Sequence, residues 1–211
     1  MRFIDIHTHH ATTQPHITGI INSGTTAAPR NTPCSVGIHP WHITTAWEED
    51  MHKLHDAARQ SNVVAIGECG IDKVKSPADI TLQTEILAAQ ALLAEGCGKP
   101  LILHCVKAQE EIIRLHRRIA PKQAWIIHGF RGKPQQAEQL LREGFYLSFG
   151  MQYNSESLAI TPIDRLFIES DTAQTAIEDI YRAVAACRGT DIEELASSIV
   201  QNAIRCNINI L

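Results

Sequence analysis

One pattern constrains this chain more than any other: short apolar, β-branched runs that end, one after another, in a histidine or a carboxylate. Phe3-Ile4-Asp5-Ile6 ends in His7-Thr8-His9, and Val36-Gly37-Ile38 ends in His39. Val63-Val64-Ala65-Ile66-Gly67 ends in Glu68, and Leu101-Ile102-Leu103 ends in His104. Trp125-Ile126-Ile127 ends in His128, and Leu166-Phe167-Ile168-Glu169-Ser170 ends in Asp171. Runs of this length and composition read as buried strands. Chemistry-bearing residues at so many strand ends require a fold that brings those ends together.

Strands are predicted at Arg2–His7, Ile17–Ile21, Ser35–His39, Val63–Glu68, Leu101–His104, Ala124–His128, Tyr146–Phe149 and Leu166–Ser170. Amphipathic stretches between them predict helices at Glu48–Ser61, Ile80–Glu95, Ala108–Ile119, Pro134–Glu143, Gln174–Arg188 and Ile192–Arg205. Asp171/Thr172 is read as the start signal of the fifth helix, and Thr190 with Glu193 as that of the sixth. Alternation of this kind implies a parallel sheet, and eight strands close a (β/α)8 barrel. The chain has 211 residues, against about 250 in that fold. Little room for a full helix exists between His9 and Ile17, or between Gly150 and Arg165. The expected architecture is therefore an α/β, distorted and reduced (β/α)8 TIM barrel, one domain over residues 1–211, with one or two helices missing or vestigial. An open doubly wound sheet is the alternative.

In such a barrel all strand C-termini open on one face, where active sites lie. His7 and His9 are two residues apart, so in a strand they point the same way. Four neutral imidazoles and two carboxylates converging from such strand ends make a donor set suited to a first-row divalent metal such as zinc or manganese. A lone strand-end histidine is usually a hydrogen-bonded rim residue; the agreement among six strand ends argues otherwise.

The remaining chain-wide features narrow the class. The six cysteines include no CxxC pair, and no apolar leader or run of about 18 apolar residues appears. A cytoplasmic protein with reduced thiols, no membrane association and no obligate protein partner is expected. The net charge of −4 speaks against a long duplex-DNA footprint but not against action on a chain end, where bound cations supply positive charge.

The order of these motifs resembles that of the TatD family of metal-dependent hydrolases, within the amidohydrolase superfamily. Asp5-Ile6-His7-Thr8-His9 looks like its DxHxH, Gly37-Ile38-His39-Pro40 like its GxHP, and Ala65–Asp72 like its IGExGLD. Pro100–His104 resembles its PxxxH strand, His128-Gly129-Phe130-Arg131-Gly132 its HxFxG, and Glu169-Ser170-Asp171 its ETD; Asn202-Ala203 resembles a terminal NA pair. Together they span nearly the whole chain. The resemblance implies two divalent metal ions (Zn, Mn or Mg), with His7, His9 and Asp171 holding one, His104 and His128 the other, and Glu68 bridging. It also implies phosphodiester hydrolysis, as by a deoxyribonuclease, with DNA or a small phosphodiester as substrate. Two metals about 3.5–4 Å apart can activate a water and clamp a phosphate, and Asp171 is placed to accept that water's proton, giving Glu68 and Asp171 catalytic roles.

Departures from the family pattern concern the substrate wall. A Ser-Arg-Asp-Ala-like sequence is replaced by Cys105-Val106-Lys107-Ala108, so an expected phosphate-binding arginine is missing. Lys107 or Arg131 is expected to replace it, although lysine lacks the bidentate fork. Trp41 stands where the family often has a histidine after His-Pro, Lys73 replaces an aromatic residue, and Thr172-Ala173 replaces a proline. His39 is assigned to substrate phosphate, or to a rim hydrogen bond. His52, His55 and His116 are read as solvated helix residues, His10 and His16 as first-loop residues, and Cys69 and Cys105 as packing. Asp5 is read as support for the ligands and Asp72 as structural. A metal-dependent amidohydrolase, a small phosphoesterase, and a degenerate barrel serving as a binding protein are the competing readings.

Overall fold

The computed structural model describes residues 1–209. Its strands are β1 (Phe3–Thr8), β2 (Ile17–Asn22), β3 (Cys34–Val36), β4 (Val63–Asp72), β5 (Leu101–Val106), β6 (Trp125–Ile127), β7 (Tyr146–Phe149) and β8 (Leu166–Ile168). They pair in strict chain order and all in parallel. One parallel bridge, Thr8 with Asp171, brings the end of β8 back to β1. Asp171 donates its N–H to the His7 carbonyl at 2.9 Å, and His9 donates to the Asp171 carbonyl at 3.0 Å. Sequential order with this closure is a barrel. A doubly wound sheet reverses strand order partway, so that alternative is excluded.

The interior follows from the apolar runs. Ile4, Ile6, Ile66, Leu101, Ile126 and Phe167 are fully buried, as expected of parallel strands covered on both faces. Each such residue contributes roughly 1.5–3 kcal/mol by leaving water.

The helices are α1 (Trp47–Ala58), α2 (Ile80–Cys97), α3 (Gln109–Ile119), α4 (Pro134–Arg142), α5 (Ser155–Ile160), α6 (Ile177–Arg188) and α7 (Ile192–Arg205). No helix follows β1 or β2, and the one after β7 is the six-residue α5. The ring of helices is thus reduced as expected, on the side where the loops are shortest. None of the described helices is long and apolar enough to cross a membrane.

Several boundaries differ from expectation for identifiable reasons. The strands predicted to end at His39, His128 and Ser170 end at Val36, Ile127 and Ile168. His39 caps a 3-10 turn at Pro40–His42, and Gly129 and Asp171 adopt positive φ, so the ligand-type residues sit just past the strands. Helix α6 begins at Ile177 rather than near Asp171/Thr172, because Asp171 is used in the barrel bridge. Helix α7 is capped by Asp191, whose side chain accepts from Glu193 and Glu194 N–H, not by Thr190. His116 is half-buried and not a solvated residue: its ring lies 4.5 Å from Phe145 and 5.1 Å from Trp125.

Candidate metal centre

Glycines in β4 set the site's backbone. A Cβ on Gly67 would stand 2.5 Å from the Ile102 carbonyl oxygen, and one on Gly70 would collide with the His104 carbonyl. Both residues have φ near +150°, where L side chains are strained. Their bare backbones let β4 lie close against β5, which brings Glu68 and His104 to one spot.

The Glu68 carboxylate divides the donors between its two oxygens. Oε1 faces His104 Nδ1 at 2.8 Å, His128 Nε2 at 2.8 Å and His39 Nε2 at 3.0 Å. Oε2 accepts from Asn22 Nδ2 at 3.0 Å and faces His7 Nε2 at 3.4 Å and His9 Nε2 at 3.9 Å. Asp171 Oδ1 lies 3.7 Å from His7 Nε2 and 3.6 Å from His9 Nε2. All six residues expected as ligands therefore converge. Ligand-type atoms of His7, His9 and Glu68, of His7, His128 and Asp171, and of His39, Glu68 and His104 each cluster within 4.8 Å.

Hydrogen bonds on the far ring nitrogens sort the three imidazoles at Oε1. His104 Nε2 lies 3.1 Å from Asp72 Oδ2, and His128 Nδ1 lies 3.2 Å from Glu169 Oε1. A carboxylate only accepts, so with the proton on its outer nitrogen each of these rings can turn the lone pair of its inner nitrogen to a metal. His39 is opposite. Its Nδ1 accepts the Trp41 backbone N–H at 3.1 Å, so its proton resides on Nε2 and is donated toward Glu68. This geometry suits His104 and His128 to ligation and His39 to hydrogen-bond donation.

A cation fits this donor set. His7 is fully buried, and neither of its ring nitrogens has a hydrogen-bond partner. An orphaned buried polar group of this kind costs roughly 1–3 kcal/mol, which a metal bond removes. Burial pushes His9 and His39 below the ordinary imidazole range, favouring the neutral form near pH 7. His128 is different: burial alone would lower it, but Glu68 and Glu169 outweigh this and hold it well above the ordinary value. Burial likewise opposes ionisation of Glu68, yet His128, His104 and His39 keep it far below the usual carboxylate range. Without a metal, then, a proton on His128 balances the buried carboxylates.

Three supporting residues lay outside the expected ligand set. Glu169 is fully buried and accepts from Gly129 N–H at 2.7 Å as well as from His128. Asp72, expected to be structural, holds both His104 and the Trp41 Nε1–H, the latter at 2.6 Å. Burial works against its ionisation, but the Trp41 indole, the Val74 and Lys75 backbone N–H groups and His104 bring it down to about 2. Position was the available signal, since Asp72 follows Glu68 by four residues and Glu169 precedes Asp171 by two. Asn22 gave no such signal. Asp5, expected to support the ligands, bonds to Ser170, the neighbour of Asp171, accepting from its N–H at 2.9 Å and its Oγ at 2.5 Å; burial pushes its carboxyl up to about 7.

A cleft of about 690 Å³ opens beside the donors, lined by His104, His128 and Asp171 on one side and by Trp41, Lys107 and Arg131 on others. Lys107 and Arg131 are exposed and make no ion pair among the described residues; Lys73 is paired with Glu111 at 2.6 Å. Cys105, read as packing, also reaches the cleft wall, and burial raises its thiol to about 11. Cys69 points away, its Sγ toward the Ile102 carbonyl. His10 and His16 stay on the rim, bonded to the Thr172 carbonyl at 3.3 Å and to Glu178 at 3.0 Å. His52 and His55 are exposed, as expected.

Comparison with known proteins agrees with the motif order. The family model described as "TatD related DNase" matches residues 4–207. A 3'-5' ssDNA/RNA exonuclease TatD from Erwinia tasmaniensis is 30% identical over 198 residues, covering 81% of this chain and 76% of that one. The metal-dependent hydrolase YabD of Bacillus subtilis, itself uncharacterized, is 30% identical over 194 residues, covering 81% and 75%. Among solved structures, the TatD homolog YJJV from Escherichia coli K12 superposes with a TM-score of 0.83 at 20% identity, over 98% of both chains. A TatD family hydrolase from Entamoeba histolytica gives 0.77 at 16% identity.

Proposed function

Given that this chain belongs to the TatD-related DNase family and is a metal-dependent hydrolase, we propose that it removes nucleotides from the ends of single-stranded DNA or RNA with two divalent ions. The division of donors across the Glu68 carboxylate carries this reading. His7, His9 and Asp171 would hold one ion, His104 and His128 the other, and Glu68 both. When bound, the ions supply an acidified water and neutralise phosphate charge.

The chain's own residues supply the rest. Of Asp5, Glu68, Asp72, Glu169 and Asp171, only Asp171 is not buried, and it lines the cleft. Its carboxylate is the group placed to accept a proton from the attacking water. The His39 Nε2–H, directed to Glu68 at 3.0 Å, is the donor assigned to a phosphate oxygen. Lys107 and Arg131, without an ion pair among the described residues, stand at the rim as contacts for flanking phosphates, in place of the arginine expected from the family pattern. If Lys107→Ala and Arg131→Ala both keep wild-type KM and kcat, that assignment is wrong. A chain end fits the molecule better than a duplex, because the cationic wall is small and the net charge is −4. Cytoplasmic action agrees with its six free cysteines among the described residues.

Digestion of a short single-stranded oligonucleotide with Mg²⁺ or Mn²⁺, beside a His128→Ala control, tests the reading. Stepwise shortening by the wild type alone supports it. No shortening, with turnover of a small phosphoester or an amide instead, contradicts it.

A further inference from the structure

Trp41 is exposed to 41% although it sits against the donor cluster and makes two bonds that fix its position. Its backbone N–H donates to His39 Nδ1, and its indole N–H donates to Asp72 Oδ2 at 2.6 Å. The ring centroid lies 4.8 Å from that of His39 and 5.7 Å from that of His104. The Lys75 ammonium rests over one face, 4.5 Å from the centroid, with the rest of that side chain exposed. A large aromatic held at its edge, open to a cleft and covered only by a movable cation, has the properties of a stacking platform.

Resting on the nucleic-acid reading above, we infer that Trp41 is the specificity-determining stacking surface for the base of the terminal nucleotide. A base displaces the Lys75 ammonium from the indole face, and the ammonium moves to a phosphate of the same strand. Stacking of this kind accepts any base, because each has a π-face, and it requires a single strand, because paired bases present none. Asp72 couples the platform to the chemistry: the carboxylate that pins the indole also orients His104.

The test compares two oligonucleotides that differ only in whether the terminal nucleotide carries a base or is abasic. Wild type is expected to turn over the abasic end about tenfold less efficiently in kcat/KM, the scale of one base–aromatic contact. Trp41→Ala should bring the two substrates within twofold of each other, through a higher KM on the base-bearing end. Trp41→Phe, which keeps a ring but loses the indole N–H, should keep most of the ratio. As a second readout, an oligonucleotide with a hydrolysis-resistant terminal linkage should quench indole fluorescence in a Trp47→Phe background only when the terminal base is present, and adding Trp41→Phe, which leaves only Trp125, should remove that quenching. Equal losses on both substrates in Trp41→Ala would assign the residue to positioning His104 and overturn the inference. Oligonucleotide cleavage with no dependence on the terminal base would overturn it while leaving the nuclease reading intact. Base-dependent quenching without any cleavage would uphold the platform and overturn the hydrolysis.

Discussion

Replacing Glu169 with glutamine isolates how a buried carboxylate supports a metal ligand it never shares with the metal. Glu169 is fully buried, and its Oε1 accepts from His128 Nδ1 at 3.2 Å and from Gly129 N–H at 2.7 Å. The amide keeps the shape and one acceptor oxygen but loses the charge. A hydrogen bond to a charged group is worth about 1.5–3 kcal/mol, against about 0.5–1.5 for a neutral one, so the loss is roughly 1–1.5 kcal/mol. That corresponds to about tenfold in affinity at the position His128 serves, the lower end of what partners of metal-bound histidines usually give. Glu169→Ala also leaves Gly129 N–H and His128 Nδ1 unpaired, and its effect should approach about a hundredfold. Calorimetric titration of metal-free protein with Mn²⁺ or Zn²⁺ measures both, with circular dichroism confirming that each variant is folded. Wild-type affinity in both variants would refute the argument that Glu169 sets the orientation and tautomer of His128.

Three further outcomes are expected. His39→Ala should leave the number of bound metals unchanged while lowering kcat/KM about tenfold, since its Nε2 carries a proton and not a lone pair; loss of one metal by elemental analysis would show instead that it is a ligand. Metal uptake near pH 7 should release about one proton, because Glu68 and Glu169 hold His128 protonated in the metal-free protein. The sign is fixed: a raised value means affinity strengthens as pH rises, and levels off once His128 is neutral. Calorimetry in buffers of different ionisation enthalpy reads this, and a buffer-independent heat would contradict it. Asn202→Ala should cost about 1–3 kcal/mol of stability by denaturant titration, because the buried amide donates to the Ile163 and Leu166 carbonyls at 2.8 and 2.9 Å; an unchanged midpoint would refute that role.

How much of this was legible in the sequence depends on what kind of pattern carries each feature. The barrel could be read because strands of a closed parallel sheet are buried on both faces and appear as continuous apolar runs. The convergence of the candidate ligands could be read because such a sheet places every strand's C-terminal end on one rim, so His7, Glu68, His104, His128 and Asp171 formed a series. Glu169 and Asp72 were hidden for the same reason that the ligands were visible. A carboxylate beside a ligand looks alike whether it binds metal, binds a ligand's ring, or caps a turn. The different state of His39 rests on a backbone N–H two residues away, which side-chain identity does not reveal. The start of α6 was misplaced because Asp171, a good cap by type, holds positive φ in the barrel bridge. His116 was misread because its helix is strongly polar around it, while its ring meets Trp125 and Phe145 from elements distant in sequence.

Anomalous X-ray scattering from crystals soaked in manganese addresses the central claim, that one carboxylate organises two metal positions. Two peaks per chain are expected, one on the Oε1 side of Glu68 among His104 and His128, the other on the Oε2 side among His7, His9 and Asp171. A single peak at full occupancy, with His104 and His128 still bonded to Glu68, would contradict it.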